Sequence, residues 1–392
     1  MRYSEIKLVE SKILLNEGAR IDHAEDIIFW EGSKGAVRAL NSLKATEEGG
    51  HGNVTIKWDG SPAIIFGRDE NGKFVLTDKS GFGAKGYDGR ATDGPALFKM
   101  LMARPGARNP DKEKAEGYAR FATNMKDIFD EYDKATPKNF RGYLKGDLLY
   151  FNTPEIKDNH YIFTPNIVSY EVNVTSELGR KIGQSKSGIV VHRMVNDQGA
   201  EGPVPANFQL QGTEVLLFPT VSMQEPPAID DEDINNMKAM VARNAGLIDR
   251  MLNVSTLTQL KIKDLPTVFY NYTNSKVDTG LEDLGVDFIQ WLNASKASEN
   301  KKRNITQYIA QNEQAFNAMW TIVNGIMKIK DKIIKQFDSN EATVKAHIGP
   351  HGPAASDTHG EGGEGYVLAH PEGDIKLVPR QYFTRANRSV QR

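Results

Sequence analysis

The chain has 392 residues, of which 39% are hydrophobic and 26% charged, with a formal net charge of −2. That make-up is globular, long enough for two domains or one large one, and carries no global basic signature of a nucleic-acid binder. There is no cysteine, which excludes disulfides, thiolate zinc sites and cysteine nucleophiles and suits a reducing cytoplasm. No apolar run approaches the ~20 residues needed to span a bilayer, and the charged start Met1-Arg2-Tyr3-Ser4-Glu5 is unlike a signal peptide, so no membrane partner is expected.

In chain order, Ile6, Val9, Ile13 and Leu14 share one face of a predicted helix at 4–16, stopped by Gly18. A second helix is predicted at 33–45, carrying Val37, Leu40 and Leu43. Val54-Thr55-Ile56 reads as a strand, because β-branched residues suit the pleated surface. It runs through Lys57-Trp58-Asp59 into the turn Gly60-Ser61-Pro62, and the strand Ala63 to Phe66 leaves it. Asn71-Gly72 predicts a hairpin to the strand Lys73 to Asp78. A glycine-rich loop follows, with Lys79 and Lys85. Residues 95–134 read as helical with a break at Arg104-Pro105-Gly106.

Gly142 to Phe151 is a predicted strand with Asp147 in its middle. Two more follow at 161–164 and 167–174, then a short helix at 176–183 and a strand at 188–192. The proline-bearing acidic passage Pro219 to Asp233 marks a boundary. Beyond it, 231–337 has helical periodicity, as in Phe316, Met319, Trp320, Val323, Ile326 and Met327. Residues 345–363 are rich in Gly, His and Pro and read as a loop. A closing hairpin is predicted from Glu364-Gly365-Tyr366-Val367 and Ile375-Lys376-Leu377, with the turn at Pro371 to Asp374.

Five pieces of this chain stand in a telling order: Lys57-Trp58-Asp59-Gly60, Gly146-Asp147-Leu148-Leu149, the aromatic strands Tyr161 to Val172, Glu364-Gly365-Tyr366-Val367, and Ile375-Lys376-Leu377. The set resembles the motif series of the covalent nucleotidyltransferases, the superfamily of ATP-dependent DNA and RNA ligases and mRNA capping enzymes. With the long helical stretch, it also resembles uncharacterised tailed-phage proteins that look like RNA ligases. The resemblance covers 50–192 and 360–380. It implies an α+β fold: an antiparallel-sheet, ATP-grasp-like nucleotidyltransferase core (1–218 and 345–392) interrupted by an all-helical insert (219–344). Only Gln381 to Arg392 follow the last motif, so no C-terminal OB-fold is expected.

The implied function is ATP-dependent sealing of 5′-phosphate and 3′-hydroxyl polynucleotide ends, RNA favoured over DNA, through a lysyl-AMP intermediate. The location is then a cytoplasm, the host's if the chain is phage-encoded. ATP and Mg²⁺ (or Mn²⁺) are the implied cofactors. Lys57 is the implied nucleophile, with Asp59 and Lys376 completing the catalytic set. An attacking amine must be unprotonated although a free lysine titrates near about 10.4, and neighbouring cations favour its neutral form. Lys376 and Arg380 would stabilise charge on the transferred phosphoryl group. Asp147 and Glu364 are hard oxygen ligands for Mg²⁺, and Asp147 is also implied in ribose binding. Tyr170, or else Phe163, would stack on the base, and Lys79 stands where the family has a basic loop contacting nucleotide or nucleic acid.

Three departures mark this chain. Pro62 stands where many DNA ligases and capping enzymes have arginine, Asp147 where glutamate is usual, and Val378 where a second lysine is usual. A guanylyltransferase or other adenylylating enzyme on the same core, and a degenerate core that only binds nucleic acid or protein, are the alternatives. For individual residues, ordinary roles compete: Tyr170 and Phe163 as core packing, and His23 and His192 as structural histidines. The loop histidines His347, His351 and His359 fit a lid rather than a metal site. Lys301-Lys302-Arg303 and Lys328 to Lys335 are either phosphate contacts or a solvated helix face. The helical stretch is a possible protein-partner surface.

Overall fold

Alternation of apolar residues carries the sheets, and long apolar stripes carry the helices. The computed structural model describes residues 22–83, 90–166, 168–205, 208–223, 225–278, 280–340, 344–348 and 365–380. The architecture is mixed α/β with mainly antiparallel strand pairing. The predicted helix at 4–16, Lys85, Glu364, His351, His359 and the stretch Gln381 to Arg392 lie outside the described residues. The chain divides into two compact units: Met1–Ala19, Trp58–Pro219 and Thr343–Ala355 in one, and Arg20–Lys57, Thr220–Ala342 and Ser356–Arg392 in the other.

The first unit holds a six-stranded sheet in the order Glu201–Gly202, Ser187–Val195, Gly142–Tyr150, Ala63–Arg68 and Phe74–Asp78, with Val215–Leu217 pairing parallel to Ser187–Val195. Strand Ala63–Arg68 is buried on both faces. Ile64 and Phe66 join Leu76, Leu97, Tyr132 and Leu148 in the larger core, while Ile65 packs with Val75 and Tyr143 on the opposite side. Helices Gly94–Met102, Lys112–Asp127 and Phe129–Ala135 contribute to the larger core. The first two begin at aspartate caps: Asp93 accepts from the Ala96 amide and Asp111 from those of Glu113 and Lys114.

A four-stranded sheet in the same unit runs Val344–Ile348, Val168–Asn173, His160–Phe163 and Glu155–Lys157. Its first strand corrects the expectation of a loop from 345 onward: Val344 to Ile348 pair antiparallel with Val172 to Val168. Gly/His/Pro-rich sequence masks a strand when, as here, the pairing partner lies far away in the chain.

The second unit holds the other four-stranded sheet, ordered Asp22–His23, Ile375–Leu377, Tyr366–Leu368 and Val54–Ile56. Helices Ile27–Ala45, Asp231–Met251, Leu265–Ser275 and Glu313–Asn340 belong to the same unit. The region expected as a separate insert at 219–344 is therefore not separate: its helices share one unit with the strands carrying Lys57 and Lys376. Burial explains this. Phe29 of the N-terminal helix packs its ring on Phe269 and Trp320 at 5.7 and 5.3 Å, and Phe337 packs on Tyr366 of the closing hairpin at 5.2 Å. An apolar stripe this wide needs a partner surface, and the sequence-distant N- and C-terminal segments supply it.

Asp338 near the end of the long helix accepts a 2.7 Å hydrogen bond from Tyr366 Oη. Burial pushes its pKa up to about 6, against the pull of that hydrogen bond. The folded state thus takes up this proton before the unfolded chain does. Stability is gained as pH falls through about 6 toward 4 and forfeited above it. Asp338→Asn keeps the acceptor and removes the charge. It is expected to raise stability at pH 7.5 by about 2 kcal/mol and to flatten the pH dependence between 7 and 4, read by urea denaturation across that range. An unchanged midpoint at pH 7.5 would contradict the buried-acid account.

Candidate functional site

In the second unit, the closing hairpin and the lysine strand are in one register. Val367 pairs with Lys376 on one side and with Thr55 on the other, and His23 pairs with Lys376 from the parallel edge strand. Residues opposite one another in an antiparallel ladder share a face. Thr55, Val367 and Lys376 are half-buried, whereas their neighbours Val54, Ile56, Tyr366, Leu368, Ile375 and Leu377 are buried. The ladder continues one step beyond the strand, since the Lys57 amide donates to the Gly365 carbonyl at 3.3 Å. Period-two alternation then returns Lys57, also half-buried, to the face of Thr55.

Two strand spacings and two residues along the strand separate Lys57 from Lys376, about 12 Å between backbones. Two four-carbon side chains on one face are long enough to meet across that distance. Gly365 makes the close step possible. Its φ is +95°, and a Cβ there would lie 2.4 Å from the Leu377 carbonyl oxygen. Val378, next after that strand, is 1% exposed.

Arg380 was expected to contact phosphate, and its position corrects this. The guanidinium is buried and donates to Asp26 Oδ1 at 2.7 Å, Glu25 Oε1 at 3.3 Å and Asn274 Oδ1 at 3.0 and 3.2 Å. It anchors the hairpin to the helices of its own unit. Lys330, expected on a basic helix face, is likewise buried and donates to Glu25 Oε1 at 2.8 Å. Lys301, Lys302 and Lys332 pair with Asp264, Glu299 and Asp233.

In the first unit, the turn after the lysine is tied down at each residue. Trp58 Nε1 donates to the Pro219 carbonyl at 3.1 Å, and its ring packs on Tyr170 and Phe218 at 4.9 and 5.0 Å. The Asp59 amide donates to Tyr170 Oη at 2.7 Å, and Asp59 Oδ2 accepts from Asn166 at 2.8 Å. The Ser61 amide donates to the Leu148 carbonyl at 2.8 Å. Tyr170 is thus a positioning residue of the turn. It is fully buried and Phe163 is 6% exposed, with Phe163 packed on Tyr150, Tyr170 and Phe218. The base-stacking role expected of either ring does not fit this packing, which occupies their faces with other aromatics.

Gly60 sits directly against the Asp147 strand. A Cβ at this position would meet the Leu148 carbonyl oxygen at 2.5 Å and Asp147 Cβ at 2.7 Å. Backbone cannot swing aside as a long side chain can. Gly60→Ala is therefore expected to cost about 1–3 kcal/mol, read as a lower urea midpoint. A midpoint equal to wild type would show that the turn is not pressed on that strand.

Asp147 pairs with Ala63 and Val190 across its sheet. The register slips between Lys145 and Gly146, so that Arg193 and Val191 are paired and His192 between them is not. This bulge re-aims the exposed His192, whose Nε2 lies 3.0 Å from Asp147 Oδ2. From the sequence His192 reads as a structural residue, since nothing local marks a bulge. Lys79 is exposed in the turn after Phe74–Asp78, its amide donating to the Ala63 carbonyl.

Among the described residues no group of three or more metal-ligating side chains converges. Mg²⁺ is commonly held by one or two carboxylates with substrate phosphates and water. Asp147 fits that minimum: its carboxylate is about a quarter exposed.

The fold and residues thus define a mixed α/β protein with a lysine pair on one sheet and an acid–histidine pair on another. A family model described as DUF6267, a family of unknown function, matches residues 19–87 and 112–392, and the chain belongs to that family. No curated protein and no solved structure matches the chain. No helix among the described residues is long and apolar enough to cross a membrane.

Proposed function

We propose that this protein is a covalent nucleotidyltransferase, and within that class an ATP-dependent ligase of polynucleotide ends, RNA favoured. The observation carrying the proposal is the shared half-buried face of Lys57 and Lys376 on one four-stranded sheet, in a chain whose motifs follow the superfamily's order. In this reading the Lys57 amine, unprotonated, attacks the α-phosphorus of ATP. A P–N bond forms, the bond to the β-phosphate oxygen breaks, and pyrophosphate departs with the electron pair while the amine's proton passes to solvent. Lys376 holds negative charge as it gathers on the phosphate oxygens. AMP then passes to a 5′-phosphate, and a 3′-hydroxyl displaces it.

Bound Mg²⁺ would supply charge neutralisation, with Asp147 as one of the two ligands that the resemblance assigns, the other being Glu364. His192 would orient the Asp147 carboxylate through their hydrogen bond. ATP rather than GTP rests on the resemblance.

A second reading has one specific observation behind it. Val378 and Arg380 are both buried, so the last motif offers Lys376 without the second cation usual in the superfamily. This favours a core that binds nucleic acid or protein without catalysis. Incubation with Mg²⁺ and α-³²P-ATP or, separately, α-³²P-GTP, then a denaturing gel, tests both. Acid-labile label on the chain is expected with ATP. Label with GTP alone means a guanylyltransferase, and none with either, from protein freed of bound nucleotide, means the binding reading.

A further inference from the structure

Charged side chains from several strands share one face of the six-stranded sheet in the first unit. Lys145 pairs directly with Arg193 across the ladder, and residues opposite one another share a face. Asp147, two residues on from Lys145, lies on that face too. The bulge brings His192 to it, with Nε2 3.0 Å from Asp147 Oδ2. Lys79 joins them from the far strand. Thr77 pairs with Ile65 and Ile65 with Lys145, and the Lys79 amide donates at 2.9 Å to the carbonyl of Ala63, which pairs with Asp147. Alternation then sets Lys79 on the Asp147 side of the sheet.

The charges of this face do not balance. Glu201 takes Lys145, Asp197 takes Arg90 and Asp147 takes His192. Arg193 and Lys79 are exposed, and neither side chain has an ion-pair or hydrogen-bond partner among the described residues. Like charges directly opposite in a ladder repel. With Glu201 engaged by Lys145, Arg193 faces that lysine without a counter-charge of its own. Arg193 and Lys79 are three strands and two residues apart, about 16 Å between backbones, with the strands of Asp147 and Ala63 between them. An anion with several phosphates in a row matches that spacing, and a guanidinium fork takes two phosphate oxygens at once. Ala63 puts only a methyl group on the line between Lys79 and Asp147, which leaves room for a chain to lie across.

We propose that a polynucleotide strand lies across this sheet face, transverse to the protein strands, with its phosphates on Arg193 and Lys79. The inference deepens the proposed function, and rests on it for taking the anion to be a nucleic acid. Contacts to phosphates carry no sequence information, so these two residues position the strand beside Asp147 and leave its sequence unread.

Fluorescence anisotropy of a short labelled single-stranded RNA, titrated with the full chain across a series of salt concentrations, tests it. For wild type, log K is expected to fall linearly with log salt concentration. Arg193→Ala should weaken binding severalfold. Lys79→Ala/Arg193→Ala should weaken it by about tenfold or more and flatten the slope by about 1.4, two phosphates at about 0.7 each. Lys112→Ala removes an exposed cation from a helix packed on the opposite side of the sheet and should alter neither affinity nor slope. No binding by wild type, an unchanged slope in the double variant, or an equal loss in Lys112→Ala would overturn the proposal. So would weaker binding of a labelled ATP analogue with RNA binding unmoved, which would give both cations to the phosphates of a nucleotide. Covalent labelling is read separately. Labelling by ATP without RNA binding refutes this surface and leaves the lysine chemistry standing. RNA binding that follows the variants, without labelling, supports the surface and refutes nucleotidyl transfer.

Discussion

Lys57→Ala is expected to lose nucleotide labelling altogether, with a signal at least about a thousandfold below wild type, because no other atom at that position can form the P–N bond. Lys57→Arg is the sharper variant. It keeps the positive charge and most of the length, yet a guanidinium titrates above about 12 and is not a nucleophile near neutrality. If Lys57 only attracts phosphate, Arg restores binding and any downstream activity. If it is the nucleophile, Arg is as inactive as Ala in labelling while still binding ATP. Lys376→Ala is expected to retain the fold and lose about a hundredfold to a thousandfold in labelling rate, the usual consequence of removing one group that meets developing charge. Rapid-quench labelling with each variant, alongside ATP binding by filter retention, separates these roles. Full labelling of Lys57→Arg would remove Lys57 from the chemistry.

Lys330→Met is expected to cost about 3–5 kcal/mol of stability, since it removes the shorter ion pair of the buried Glu25 carboxylate and leaves it only the 3.3 Å contact with Arg380. Glu25, Asp26, Lys330 and Arg380 are all buried, two acids against two bases. Burial works to raise the Glu25 pKa, but the charges of Lys330 and Arg380 together outweigh it and hold the carboxyl below its usual range. Asp26 goes the other way: burial pushes it up to about 6, Glu25's charge adds to the rise, and Arg380 only partly offsets it.

The signs of these two linkages differ. Asp26 takes up a proton in the folded state first, so its contribution improves as pH falls through about 6 toward 4. Glu25 contributes stability present above its unfolded pKa and lost as pH falls through its lower folded one. Methionine at 330 removes that second contribution, so the loss in Lys330→Met is expected to be larger at pH 7 than at pH 4. Glu25→Gln/Lys330→Met, which removes both charges, is expected to recover much of the loss, and thermal denaturation of the three proteins checks it. A double variant no more stable than Lys330→Met would show that packing, and not the lost ion pair, is responsible. Since Arg380 closes the hairpin that bears Lys376, Lys330→Met also tests whether this ion cluster keeps the lysine sheet in register. Labelling should fall with stability and return in the double variant.

Much of the local structure was legible in the residues themselves. Val54 to Ile56, Ala63 to Phe66, Gly142 to Tyr150 and the hairpin at 366–377 announce themselves by β-branched runs between turn residues, and the structure has strands there. The helices at 94–135 and 231–340 follow from periodicity and their aspartate, asparagine and serine caps. Such signals act over a few residues, and so survive in one dimension. The order of motifs and the alternation that sets Lys57 and Lys376 on one face also follow from local pattern, once the strands are paired.

Tertiary structure alone decided the rest. Tyr170 reads the same in sequence whether its ring is open or packed on Trp58 and Phe163, because its exposure depends on Trp58, more than a hundred residues away. Arg380 looks like a phosphate ligand until Asp26 and Asn274 are brought to it. His192 reaches Asp147 only through a bulge in a long-range ladder. The helices after Pro219 look detachable in a linear reading. Their apolar stripes are covered by Ile27–Ala45 and the closing hairpin, segments at the two ends of the chain. Composition and period determine which elements form. Burial, and the pairing of charges that burial demands, determines which of their side chains remain available for chemistry.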